Sequence, residues 1–236
     1  MMFFLYTLIV LAAMTALLFA VPLRAKGLTA LVLIGGGALW SCSMAVGTLL
    51  KGQQTLLWLA SGPLFGGDSG SMDTLSALFV LIIGIGSVAS AAYSRGYLAG
   101  ELPHKSPAHV SLHYTSLVAM YYAMLGVVLS DGGYSFLFFW ELMTVASFLL
   151  ILFEAERREV RRAALSYLIM MHIGFILLLV GFVRVETATG SASFAALAEY
   201  FRTQPALPLF LVFLAGFGMK AGLFPMHVWL PEAHPA

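Results

Sequence analysis

The sequence predicts an all-α integral membrane protein with about seven transmembrane helices. Three observations carry that reading. Hydrophobic residues make up 61% of the 236, charged residues only 10%, and mean hydropathy is +0.94; a soluble domain carries about 25% charged and about 45–50% apolar residues. The apolar residues fall in runs of about 20, enough to span ~30 Å of hydrocarbon in helical form. Positive charge gathers in alternate connecting segments. A water-soluble fold of this size has too little interior to hide so much apolar surface.

The spans are expected at Phe3–Pro22, Leu28–Leu50, Asp73–Tyr93, Leu112–Ser130, Gly133–Phe153, Ala163–Val183 and Leu207–Phe224. The first is read as a retained helix, because Arg24 and Lys26 follow the apolar run, whereas a cleaved signal carries its basic residues in front. The apolar segment Leu56–Leu64 is too short to cross and is expected at the interface or against other helices. Arg95–His109 and Arg184–Pro205 are polar enough to be extramembrane loops. Ser130-Asp131-Gly132-Gly133 is a turn. Asp73 opens the third span, where a carboxylate caps a helix N-terminus. Tyr93, Tyr97, Tyr114, Tyr121 and Tyr122 lie near span ends and read as interface belts. Gly35-Gly36-Gly37 inside the second span suits a close helix contact better than a nucleotide site.

Lysine and arginine set the orientation. With the N-terminus outside, inner segments hold Arg24, Lys26, Arg95, Lys105, Arg157, Arg158, Arg161 and Arg162, against Lys51, Arg184 and Arg202 outside. The stretch EAERREVRR reads as a solvated cytoplasmic connection, with docking of a soluble partner as the lesser alternative. Net charge is +1, so nothing points to nucleic acid. The one cysteine, Cys42, stands in an apolar run and reads as packing; alone it holds neither zinc nor a cluster.

Two charges fall inside spans. Glu141 lies eight residues past Gly133, about 12 Å into the fifth helix. Lys220 lies 13 residues past Leu207, about 20 Å into the seventh. A charge at mid-membrane costs at least about 2.5–3.5 kcal/mol on insertion scales. Both are therefore expected to face the bundle interior, close together, as a pair whose protonation can switch. Desolvation and mutual attraction pull such a pair in opposite directions. A static salt bridge is the blander alternative, and it offers little net stability. Gly216, Gly218, Gly222 and Pro225 surround Lys220, so the seventh helix is expected to break near Lys220–Pro225. His172, at the middle of the sixth span, suits either a proton shuttle or a histidine bonded to a neighbouring carbonyl. His227, Glu232 and His234 form a candidate junction between the relay and water. Pro231 separates the last two from His227, which argues against a metal site.

Three strings then resemble one family together: YSRGYL after the third span, FFWELMTVASFLLI in the fifth, and KAGLFPMHVWLPEAHPA at the end. They resemble the antiporter-like proton-translocating subunits of complex I, membrane-bound hydrogenases and multisubunit Na+/H+ antiporters. The ending Glu232-Ala233-His234-Pro235-Ala236 looks most like the large membrane subunit of formate hydrogenlyase and hydrogenase-4. The resemblance implies that residues 1–236 form a single transmembrane domain, the first half of a roughly fourteen-helix subunit. It implies a proton path through Glu141 and Lys220, with no cofactor or metal bound by this chain. It also implies other membrane subunits and a peripheral redox arm as partners, in an energy-transducing bacterial or archaeal cytoplasmic membrane. Two alternatives stand beside it: a Na+/H+ antiporter subunit without a redox partner, and a non-transporting membrane scaffold.

Overall fold

The computed structural model describes residues 2–52, 55–59, 69–100 and 105–233. Each of the seven predicted spans lies on a helix: α1 (Met2–Ala20), α2 (Lys26–Lys51), α3 (Thr74–Ala99), α4 (Pro107–Leu129), α5 (Gly133–Ile151), α6 (Arg158–Thr189) and α8 (Ala206–Ala221). A further helix, α7 (Phe194–Thr203), joins α6 to α8, and a short turn of helix, α9 (Leu230–Ala233), follows. Five helices are long and apolar enough to cross a membrane, while α1 and α8 are apolar but shorter. The protein is an all-α integral membrane protein. Large apolar side chains such as Leu39, Trp40, Ile82, Ile85, Ile169 and Ile176 stand on the outside, where lipid satisfies them as well as a core would.

The described residues fold as two compact units, one within 2–59 and 69–129, the other within 130–233. In the first, α2 and α3 pack along each other, and α4 contacts both. Small residues make the close approach possible: Ala30, Ala38, Ala45, Ala77 and Ala91 are all buried. Gly37 has room for no side chain, since a Cβ there would stand 2.7 Å from the Tyr122 hydroxyl. The C-terminal carbonyls of α1 lack helical partners. Lys26 supplies one: its ammonium donates to Leu18 O at 2.7 Å, and Ser111 Oγ adds a bond to the same oxygen at 3.3 Å. Lys26 is 2% exposed and opens α2 as a buried cap, rather than standing in a connecting loop.

Four further expectations are corrected. Arg95–His109 is not all loop, because α3 runs on to Ala99 and α4 starts at Pro107. Arg184–Pro205 is mostly helical, with α6 reaching Thr189 and α7 following. Arg158, Arg161 and Arg162 sit in the first turns of α6 rather than in a loop. Tyr114 and Tyr121 are buried and Tyr122 half-buried. Tyr121 shares a 3.1 Å hydrogen bond with Ser41, and the Tyr122 hydroxyl donates to Leu33 O. These rings peg helices together; Tyr93 and Tyr97 are the exposed, stacked pair. Of the short apolar segment, Leu56–Leu59 lies in strand β1 (Thr55–Leu59), paired antiparallel with β2 (Ser69–Met72). Its remaining residues lie outside those described. Asp73 caps α3 as expected, accepting from Ser76 N at 2.7 Å. That N–H holds the Asp73 carboxyl below its usual range. The cap is therefore complete above the unfolded carboxylate range and weakens as pH falls through the folded value.

In the second unit α6 packs against both α5 and α8. The α6–α8 crossing is made by glycines. A Cβ on Gly174 would meet Gly216 O at 2.9 Å, and one on Gly181 would meet the Phe213 ring at 2.9 Å. Backbone contact of this kind is how helices approach without a hydrophobic drive. We expect Gly174→Val to force α6 and α8 apart at about 1–3 kcal/mol, read as a lowered unfolding temperature in detergent. An unchanged temperature would contradict the close crossing.

Candidate functional site

In the second unit Glu141 on α5 and Lys220 on α8 are part-buried, and His172 on α6, its side chain 47% exposed, stands beside Glu141. Glu141 and Thr144 are three residues apart on α5 and so share a face. Trp140 precedes them, and its ring packs 5.1 Å from Phe136 and 5.7 Å from Phe217 of α8. Phe213 and Phe182 continue this aromatic wall across the α6–α8 crossing. The wall fixes the depth at which Lys220 emerges from α8.

Glu141 pairs with His172 rather than with Lys220. Glu141 Oε1 lies 3.0 Å from His172 Nε2, and no ion pair joins Glu141 to Lys220 among the described residues. The other imidazole nitrogen, Nδ1, stands 2.9 Å from Leu168 O, one turn back on α6. A carbonyl only accepts, so Nδ1 carries a hydrogen. The Nε2–Oε1 contact then holds one proton: either on Glu141, donated to a neutral imidazole, or on His172, donated to a carboxylate. Removing it would set lone pair against lone pair. The sequence left His172 open between a shuttle and a carbonyl-bonded histidine; the carbonyl bond is present, and Nε2 adds a contact to Glu141. Glu141 Oε2 is buried without a hydrogen-bond partner.

Lys220 Nζ donates to Thr144 Oγ1 at 3.0 Å and lies 4.5 Å from the centroid of the Trp140 ring. It occupies the last turn of α8, where the negative end of the helix dipole favours an ammonium. The helix stops one residue later. Gly222 takes the left-handed conformation at φ 68° and its N–H returns to Gly218 O, a glycine C-cap. The chain then turns, with a cis peptide at Phe224–Pro225, before α9. Trp229 ties this segment back: its indole N–H donates to Met219 O at 2.8 Å, satisfying a carbonyl the helix end leaves open. Its ring packs edge-on against Tyr167 at 5.2 Å, with Met171 and Ala233 beside it.

The candidate junction residues stay apart from this cluster. His227 is exposed, its ring tilted against Phe224 at 5.6 Å between centroids. Glu232 is exposed beside a groove it shares with Arg157, Glu159 and Arg162 at the start of α6. His234 lies outside the described residues. No group of three potential metal ligands occurs among the described residues. Thr144, Trp140 and Trp229 were not singled out from the sequence. Tryptophan and threonine are ordinary in apolar helices, and only the facing helix reveals what they touch.

Comparison with known proteins bears on this site. Residues 131–236 match the family described as NADH:quinone oxidoreductase/Mrp antiporter, transmembrane. The chain is 32% identical over 170 residues to hydrogenase-4 component B of Escherichia coli K12, covering 70% of this chain and 24% of that protein. It is 31% identical over 169 residues to a putative antiporter subunit of Staphylococcus aureus MRSA252, covering 70% of this chain and 20% of that one. The fold matches a chain of the Mrp complex from Dietzia sp. DQ12-45-1b with TM-score 0.76 at 22% identity, over 96% of this chain and 42% of that chain. The matched part thus spans about a quarter or less of the curated relatives' length.

The carboxylate–imidazole contact has a measurable consequence. His172→Leu leaves both Glu141 oxygens without a partner, and should lower stability by about 1–3 kcal/mol. Adding Glu141→Met removes the stranded carboxyl and should restore much of it. Unfolding temperatures of the two variants that do not differ would contradict the contact.

Proposed function

We propose that this antiporter-like chain, related to subunits of hydrogenase-4, Mrp antiporters and complex I, carries protons across an energy-transducing membrane through Glu141, His172 and Lys220. In this reading it is a non-catalytic subunit of a redox-driven complex of the hydrogenase or NADH–quinone type. One observation carries it: a carboxylate deep in an apolar helix shares a one-proton contact with a histidine, and a lysine waits on the facing helix. An intramembrane acid is costly and is kept for a purpose. A carboxyl that hands its proton to a neighbouring base without leaving its site is the unit step of a relay. The lysine charge nearby biases where that proton rests. Seven spans with the N-terminus outside would put Glu141 and Lys220 on helices running the same way. Electron transfer would belong to partner subunits and a peripheral redox arm, with other membrane subunits alongside.

A second reading is Na+/H+ exchange without a redox partner, favoured by the likeness to the Staphylococcus antiporter subunit and the Mrp fold. Proton movement in vesicles that requires Na+, with no dehydrogenase or hydrogenase co-purifying, would select it.

Under the redox-driven reading, Glu141→Gln and Lys220→Ala each reduce proton translocation by at least about tenfold, as loss of a positioned acid–base group does. The complex still assembles. Proton translocation is followed with a pH-sensitive dye in inverted membranes. Wild-type translocation in both variants would overturn the relay and leave a scaffold.

A further inference from the structure

We propose that Trp140 and Thr144 form a holding position for the Lys220 ammonium, which makes Thr144 a positioning residue of the relay. This deepens the reading above and rests on it. The hydroxyl of Thr144 has one hydrogen, and it is given to Trp140 O at 3.0 Å. What the oxygen turns toward α8 is therefore a lone pair, and Lys220 Nζ donates to it at 3.0 Å. The Trp140 ring face supplies a second, electrostatic attraction at 4.5 Å. Thr144 is fully buried, so water does not reach its oxygen, which the Tyr167 side chain also approaches.

The position is notable for what it leaves alone. Glu141 stands one turn before Thr144 on the same face, and its Oε2 is buried without a hydrogen-bond partner. Its Oε1 is engaged by His172. An ammonium seated on Glu141 would form an ion pair that must break each time the carboxyl takes a proton. Seated on a neutral hydroxyl and a ring, Lys220 keeps its charge near Glu141 without occupying it. The shared proton can then move between Glu141 and His172 without an ion pair to Lys220 being broken, and Oε2 remains open to an incoming donor. The hydroxyl oxygen, not the bulk of the threonine, is what this role requires.

The oxygen can be separated from the bulk by two substitutions. Thr144→Val keeps the shape and removes the acceptor; Thr144→Ser keeps the acceptor and removes the methyl group. Proton translocation per turnover of the driving reaction is measured in native membranes containing the assembled complex, normalised to the amount of chain by immunoblot. We expect Thr144→Val to lose about tenfold, the scale of a hydrogen bond to a charged group, and Thr144→Ser to retain most of the activity. Wild-type translocation in Thr144→Val would overturn the proposal. So would the reverse order, with Thr144→Ser impaired and Thr144→Val normal, because it marks a packing role. Glu141→Gln measured in the same membranes keeps the two levels distinct. Its failure to pump alongside a normal Thr144→Val would sink the holding position and leave the relay standing.

Discussion

A charge in hydrocarbon must find a partner or be lost, and the second unit of this protein is arranged around that constraint. Glu141 and Lys220 are part-buried in apolar helices, and His172 stands beside Glu141 with its side chain 47% exposed. Each makes a polar contact that replaces part of its lost hydration: the carboxylate with the imidazole, the imidazole with a backbone carbonyl, the ammonium with a hydroxyl and a ring. Within this cluster Glu141 Oε2 is buried without a hydrogen-bond partner. Buried orphans of that kind are uncommon in native structures. Here the orphan sits on the one group that the proposed relay needs to keep reactive.

The apolar architecture serves this arrangement. Gly174 and Gly216 bring the backbones of α6 and α8 together, and Gly181 makes room for the Phe213 ring, so the lysine on α8 reaches Thr144 of α5. The aromatic wall of Phe136, Trp140, Phe213 and Phe217 sets its depth. Trp229 closes the end of α8 by taking up the Met219 carbonyl. Without that bond the last turn of α8, which carries Lys220, would have a carbonyl open inside the protein.

How much of this was legible beforehand follows from what each residue costs. Glu141 and Lys220 announce themselves, because a charge in an apolar run is expensive wherever it points. The positions of the long apolar helices follow from run length alone. Asp73 was legible because a carboxylate before an apolar run has a local job that needs no tertiary context. Partner choice was not legible. Thr144 and Trp140 cost nothing in an apolar helix, so no sequence signal marks them, and the nearest-charge argument pointed Lys220 toward Glu141 itself. Tyr114, Tyr121 and Tyr122 misled for a related reason: an amphipathic ring suits a membrane interface and an inter-helix peg equally well. Lys26 misled because the same ammonium that marks a cytoplasmic loop can cap a helix from inside. Helix α7 was missed because it is only ten residues long and lies within a polar connecting stretch.

The central claim is that Glu141 exchanges a proton with its surroundings as the complex works. Difference infrared spectroscopy tests it on the intact complex, comparing the resting state with the state driven by the complex's electron donor or ion gradient. The account predicts a protonated-carboxyl band that changes on driving, disappears in Glu141→Gln and shifts in His172→Gln. A difference spectrum identical in the Glu141→Gln complex would show that Glu141 keeps one protonation state throughout, and would contradict the account.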